Sequence, residues 1–306
     1  MKKILVTGGA GFIGSSLVDK LLLKNYFIII ADDLSTGNLN NIKKNKKSKF
    51  IKCDVNDFNQ IKKIFNKYKI DYVFHFAACV GVIRTINNPI KVLNDIDGLK
   101  NIFFLSSKYK IKRIFFSSSS EVYGEGFKIP QNETTTPLNS RLPYAVVKNI
   151  GESFCKSYNQ EYKLNYTIFR FFNTYGPKQT ENFVVSLFIK AALKNKNLAI
   201  YGKGNQSRTF CYIDDTIEAI MNSFEKRIYI NDIVNIGNDK ITSINELAKK
   251  IIKITNSKSK IKKIKPLKEG DMFQRQPEIS KMKKLLNRRL TSLEQGIRKI
   301  LNVFNS

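Results

Sequence analysis

Tyr144 and Lys148 stand four residues apart in Pro143-Tyr144-Ala145-Val146-Val147-Lys148, so on a helix they share one face. A phenol ionises near pH ~10 and is a poor base at neutral pH. A neighbouring ammonium stabilises its phenolate. The pair therefore suits removal of a proton from a hydroxyl. Upstream, Ser117-Ser118-Ser119-Ser120-Glu121-Val122-Tyr123-Gly124 offers hydroxyls that could bridge a substrate hydroxyl and the phenol. Alone, each pattern is weak: Tyr-x-x-x-Lys arises by chance, and a serine run can be a plain turn.

Near the start, Thr7-Gly8-Gly9-Ala10-Gly11-Phe12-Ile13-Gly14 follows a strand-like run and opens a helix-like one. Glycine at 8, 11 and 14 lets backbone approach a pyrophosphate. The helix N-terminus adds free N–H groups and the positive end of a dipole. That context makes the triplet a dinucleotide-binding signal. Asp32 ends the next strand, 18 residues after Gly14 (32 − 14). A carboxylate there can accept both hydroxyls of an adenosine ribose and would repel a 2′-phosphate, which favours NAD over NADP. Its plainer alternative is a capping or turn residue. Asp33, Ser35 and Gly37 continue as a polar turn, and Asp54-Val55 could hold the adenine edge. His75, the single histidine, leads into Phe76-Ala77-Ala78. It reads as scaffold, with Ala77 and Ala78 packed beside the cofactor. A positive nicotinamide ring would join Lys148 in stabilising the phenolate, and Lys148 can also hold the nicotinamide ribose.

The elements that must position these residues alternate. Strands are predicted at Lys3–Thr7, Phe27–Ala31, Phe50–Cys53, Tyr72–Phe76, Arg113–Ser117 and Asn165–Arg170. Helices are predicted at Phe12–Lys24, Phe58–Tyr68, Pro89–Tyr109 and Tyr144–Tyr162. Short apolar strands between helices imply an α/β protein with a Rossmann-type, doubly wound parallel sheet covered on both faces. Helices are further expected at Phe183–Leu193, Asp214–Phe224, Ser243–Thr255, Ile279–Leu286 and Ser292–Leu301, with a solvated strand or loop at Lys258–Lys265. The organisation expected is a NAD-binding domain over 1–177, with some later segments returning to it, and a smaller α/β substrate lobe over 178–306.

Together these residues resemble the extended short-chain dehydrogenase/reductase superfamily, in its nucleotide-sugar epimerase, dehydratase and decarboxylase branch, and are most like UDP-glucose 4-epimerases. The resemblance spans nearly the whole chain and includes Arg170-Phe171-Phe172-Asn173-Thr174-Tyr175-Gly176-Pro177, Arg208 to Asp215 and Arg275 to Lys281. It implies NAD as cofactor and a nucleoside-diphosphate sugar, UDP-linked, as substrate. Carried over, Ser119 is the catalytic hydroxyl, Tyr144 the base and Lys148 its partner. Glu121 joins the catalytic set, and Phe12, Ile13 and Phe171 join the cofactor-binding residues. Ser119, Ser120, Asn173, Arg208 and Arg275 fall on the substrate side; an arginine suits a diphosphate because its fork can bond two oxygens. Asp95 departs from the pattern, standing where many relatives carry Asn, and a carboxylate cannot donate as an amide does. The resemblance also implies a homodimer through the helices Pro89–Tyr109 and Tyr144–Tyr162.

The reaction implied opens with loss of a hydride from a sugar carbon, usually C4, to NAD as Tyr144 takes the hydroxyl proton. Epimerases return the hydride to the other face of the keto sugar. The 4,6-dehydratases expel water with an Asp-Glu pair, which here reads Ser120-Glu121 and lacks the Asp. UDP-glucuronate decarboxylase, forming UDP-xylose, is the main rival, because Glu121 and Arg275 match residues that contact the carboxylate being lost. Against it, the loop Pro130–Pro143 lacks the usual insertion, and the sequence around Tyr144 is epimerase-like. The expectation is C4 inversion of a UDP-hexose. A non-catalytic NAD-binding protein is the reading from another class, and it would not need Ser119, Tyr144 and Lys148.

Composition narrows the rest. The 53 Lys and Arg against 25 Asp and Glu leave a net charge of +28. The lysines are spread over Lys43–Lys49, Lys62–Lys69 and Lys249–Lys265 rather than gathered with arginine and aromatics, so no nucleic-acid partner is expected. A positive field would also attract a dianionic nucleotide sugar. Cys53, Cys79, Cys155 and Cys211 show no Cys-x-x-Cys spacing, so no metal or redox pair is expected, only buried thiols. No run approaches the ~18 apolar residues of a membrane helix. No membrane partner and a cytoplasmic location are expected.

Overall fold

Runs of β-branched and aromatic residues become seven strands of one parallel sheet: β1 (Lys2–Thr7), β2 (Tyr26–Asp32), β3 (Ser48–Lys52), β4 (Tyr72–His75), β5 (Arg113–Ser119), β6 (Tyr166–Phe171) and, much later in the chain, β11 (Asp232–Ile236). The computed structural model describes residues 1–124, 129–265 and 274–304. Its strand order is β11-β6-β5-β4-β1-β2-β3. The order reverses between β1 and β4, and open parallel sheets bind ligands beyond the carboxyl ends of their strands at such a point.

Strand alternation divides the core in two. Ile4, Val6, Phe74, Phe115 and Phe169 face one way, toward α1 (Phe12–Leu22) and α8 (Ile213–Glu225). Leu5, Val73, Ile114, Phe116 and Ile168 face the other way, with α2 (Phe58–Lys67), α5 (Asp95–Lys108) and α6 (Pro143–Tyr162). Each such buried side chain contributes roughly 1.5–3 kcal/mol by leaving water.

The periodicity of Pro89–Tyr109 predicts one helix, but the chain forms α4 (Pro89–Leu93) and α5 around Asn94. At the junction the Asp97 N–H bonds the Asn94 carbonyl three residues back, which tightens the turn. A further helix not foreseen, α3 (Val82–Asn87), precedes them. β5 also runs two residues past its expected end. Ser117, Ser118 and Ser119 pair with Phe169, Arg170 and Phe171 of β6, so the serine run is strand first, then a tight helical turn over Ser120–Tyr123.

After β6 come β7 (Thr174–Tyr175), α7 (Val184–Leu193), β8 (Leu198–Tyr201), β9 (Ser207–Thr209), β10 (Cys211–Tyr212), β12 (Ile241–Ser243), α9 (Ile244–Ile254), β13 (Ile261–Ile264), α10 (Ser280–Leu286) and α11 (Leu293–Phe304). The short strands pair as β7 with β10, β8 with β13 and β9 with β12. The lysine-rich run thus supplies a strand, β13. All four cysteines are free and buried. Among the described residues no helix is long and apolar enough to cross a membrane.

Candidate active site

A cleft of about 1100 Å³ opens at the carboxyl edge of the sheet, over the reversal between β1 and β4. Gly8, Gly11, Phe12, Ile13 and Gly14 form part of its wall. Gly8 has φ +66°, and a Cβ there would lie 2.6 Å from the Ala77 nitrogen. A Cβ at Gly14 would lie 2.2 Å from the Gly8 carbonyl oxygen. Only glycine lets this loop fold so tightly beneath the start of α1. No side chain caps that helix, which leaves its first amides for an anion. Asp32 is buried in the same wall. Its oxygens accept from the backbone N–H groups of Ala10 (2.9 Å) and Leu34 (2.8 Å), and each keeps a lone pair. Burial holds its carboxyl above the usual range.

Asp33, Ser35, Asp54, Val55, Ala77, Ala78 and Phe171 also line the cleft. Gly37 does not. It packs beneath Asp32, where a Cβ would lie 2.5 Å from the Asp32 Oδ1. A glycine cradle beside a buried acid fits a dinucleotide, with the loop taking its pyrophosphate and Asp32 a ribose.

Tyr144, Lys148 and Ser119 line the same cleft. Pro143 starts α6, so Tyr144 sits in its first turn with part of its ring open to the cleft. Burial pushes the Tyr144 phenol above its ordinary value, the Glu121 carboxylate adds to this, and a hydrogen bond with Ser119 opposes it. The expected lowering by Lys148 is absent from the protein alone. The Lys148 Nζ donates to the Ser117 carbonyl at 2.7 Å and the Ser117 Oγ at 3.2 Å, and lies 5.7 Å from the Tyr144 ring centroid. Burial pulls this ammonium down to about 8, against the attraction of Asp95.

Ser120, Glu121, Asn173 and Arg275 also line the cleft. Arg275 grips Glu121 with two parallel bonds of 2.7 Å, and its Nη1 lies 3.4 Å from the Ser120 Oγ. The Asn173 Nδ2 donates to the Thr209 carbonyl at 3.4 Å. Arg208 is not in the cleft wall; it lies on β9 and donates to the Ser207 carbonyl at 2.8 Å.

Asp95 solves its departure from the usual amide by accepting. Its Oδ2 takes the Cys79 backbone N–H at 2.7 Å. Burial raises its carboxyl. His75 is scaffold: buried, its Nδ1 lies 2.8 Å from the Thr7 Oγ1, and burial then Lys148 pull it down to about 3. Residues that sequence reasoning missed include Ser117, which anchors Lys148, and Arg84, Thr180 and Phe210 of the cleft wall. No local spacing marks them, because their positions follow from tertiary packing. Among the described residues no group of three or more His, Cys, Asp or Glu is placed to hold a metal.

A family model described as the NAD dependent epimerase/dehydratase family matches residues 4–237. The chain is 40% identical over 305 residues to a putative UDP-glucose 4-epimerase of Methanocaldococcus jannaschii, covering 98% of this chain and 97% of that one. It is 33% identical over 328 residues to a UDP-N-acetyl-alpha-D-glucosaminuronate decarboxylase of Bacillus cytotoxicus, covering 99% and 98%. Its structure superposes on that of a UDP-glucose 4-epimerase with UDP-glucose from Thermotoga maritima with a TM-score of 0.93 at 33% identity, over 99% of this chain and 98% of the other.

Proposed function

The chain belongs to the NAD-dependent epimerase/dehydratase family, its cofactor is NAD, and we propose that it inverts C4 of a UDP-hexose through a transient 4-keto sugar. The observation that carries this is the meeting of Tyr144, Ser119 and Lys148 in one cleft with the Gly8–Gly14 loop and Asp32. NAD supplies the hydride acceptor and, in the return step, the donor. The protein's residues do the rest. The loop and Asp32 hold the dinucleotide, and Phe171, Ala77 and Ala78 pack beside it. Tyr144 removes the proton of the sugar's 4-hydroxyl, Ser119 bridges the two oxygens, and Lys148 adds positive charge. Asn173 and the segments after Pro177 bind the nucleotide and the sugar.

Dehydration is disfavoured because Ser120, a poor acid, stands in the turn before Glu121. Decarboxylation of UDP-glucuronate is the second reading, since Glu121 and Arg275 reach the cleft beside Tyr144. The closed Glu121–Arg275 pair speaks for a neutral sugar, because a guanidinium already matched by one carboxylate is a poor receptor for another.

The test is incubation with UDP-glucose, UDP-N-acetylglucosamine and UDP-glucuronate, followed by mass spectrometry and NMR. Unchanged mass with inverted C4 supports the epimerase. Loss of carbon dioxide makes it a decarboxylase. No change in any of the three overturns the proposal.

We also propose that the working form is a homodimer. α5 and α6 pack together through Phe103 and Phe154, while Phe104 on α5 and Tyr162 on α6 leave apolar surface exposed for a second copy.

A further inference from the structure

Three consecutive serines at the end of β5 each meet a different residue of α6. Ser117 receives Lys148, and Ser119 lies close enough to Tyr144 to lower its phenol. The Ser118 Oγ donates to the Glu152 Oε1 at 2.5 Å. Tyr144, Lys148 and Glu152 are spaced four residues apart, so one helix face sets the register of the whole strand end.

Glu152 lies outside the cleft wall and is 1% exposed. Arg170 of β6, 2% exposed, grips it from Nε to Oε1 at 2.8 Å and from Nη2 to Oε2 at 2.7 Å. The Arg170 Nη1 donates onward to the Tyr123 hydroxyl at 2.9 Å and the Glu133 carbonyl at 3.3 Å. The Tyr123 hydroxyl donates to the Asn235 Oδ1 at 2.8 Å, and the Asn235 Nδ2 donates to the Gln131 carbonyl at 2.9 Å and the Glu278 carbonyl at 3.2 Å. Gln131 in turn takes the Glu278 N–H at 2.8 Å and gives its own N–H to the Gln276 carbonyl at 2.7 Å. A continuous buried chain of bonds thus runs from α6, under Ser118, around the Ser119–Tyr123 turn, to the segment that carries Arg275.

A buried ion pair contributes little net stability compared with apolar packing of the same volume. Its value here is geometric. We propose that the Glu152–Arg170 pair is a positioning device that sets Ser119 and Glu121 against Tyr144 and Arg275. The proposal rests on the reading that Tyr144 and Ser119 act on a sugar hydroxyl. A misplacement of about 1 Å at such a site can cost on the order of 100-fold in rate.

Two variants test it in the NAD-loaded enzyme: Glu152→Gln, which removes the ion pair, and Ser118→Ala, which keeps the pair and cuts only its link to the strand. Ser118→Ala is expected to lower kcat by about 10-fold, with KM for the nucleotide sugar within about 2-fold of wild type and an unchanged melting temperature. Its crystal structure is expected to show the Ser119 Oγ displaced from the Tyr144 phenol. A purely structural role predicts a lower melting temperature in Glu152→Gln with unchanged kcat per NAD-loaded molecule, and that result overturns the proposal. So does a Ser119 that stays in place in Ser118→Ala, whatever the rate. A wild-type protein inactive on every nucleotide sugar would sink the epimerase reading instead, and the crystallographic comparison would then decide the positioning role alone.

Discussion

Arg275 closes on Glu121 at the cleft, one terminal nitrogen to each carboxylate oxygen, both at 2.7 Å. The pair lies within reach of Tyr144, since Glu121 raises that phenol and Arg275 lowers it. It leaves the Arg275 guanidinium already matched by a carboxylate in the cleft wall. Glu121→Gln should therefore raise affinity for UDP-glucuronate relative to UDP-glucose by about 10-fold, the scale of one charge-assisted hydrogen bond. Calorimetric titration of both ligands checks this, and an unchanged affinity ratio contradicts it.

Tyr144→Phe should lose at least ~100-fold in turnover, the scale of a general base. Folding and NAD content should be unchanged, because the ring still fills its place at the start of α6. Turnover near wild type would remove Tyr144 from its role.

Lys148 gives a pH signature. Burial takes its ammonium from an ordinary 10.5 to about 8. Below pH 8 both folded and unfolded chains carry the charge, and the folded chain bears the full penalty of burying it. Between about 8 and 10.5 the folded chain sheds the proton first, so that penalty fades as pH rises. Cofactor-free wild type should therefore gain on Lys148→Met by up to about 3 kcal/mol across that interval. Urea unfolding at pH 7.5 and pH 10 measures the difference. A gap that does not change with pH would contradict it.

The chemistry-bearing residues were legible because their signals are local. Tyr144 and Lys148 share a helix face by spacing alone, and the glycines of the first loop lie within seven residues of one another. Asp32 was legible because a strand end is a fixed distance from the loop. What escaped depends on contacts across the fold. Ser118 and Glu152 are 34 residues apart and Asp95 bonds Cys79 across 16, so no periodicity reports either contact. The unbroken helix expected over Pro89–Tyr109 failed for a different, local reason: the apolar pattern continues through Asn94, where the backbone tightens. Arg208 matched a family position by sequence order, and the structure places it on β9, outside the residues that line the cleft.

Asp32→Ala should weaken NAD binding by roughly 10- to 100-fold, the value of a lost charge-assisted bond, and should affect NADP less. It should also lower the melting temperature, because the Ala10 and Leu34 amides lose their acceptor. Equal losses for the two dinucleotides would place the ribose elsewhere.

The central claim is that one sugar carbon loses and regains its own hydrogen in the cleft where Tyr144 and the dinucleotide meet. Turnover of a UDP-hexose in deuterium oxide, followed by NMR of the product, tests it most directly. The predicted product has inverted C4 and keeps protium there, because the hydride returns without meeting solvent. Deuterium at C4, or no inversion, would contradict it.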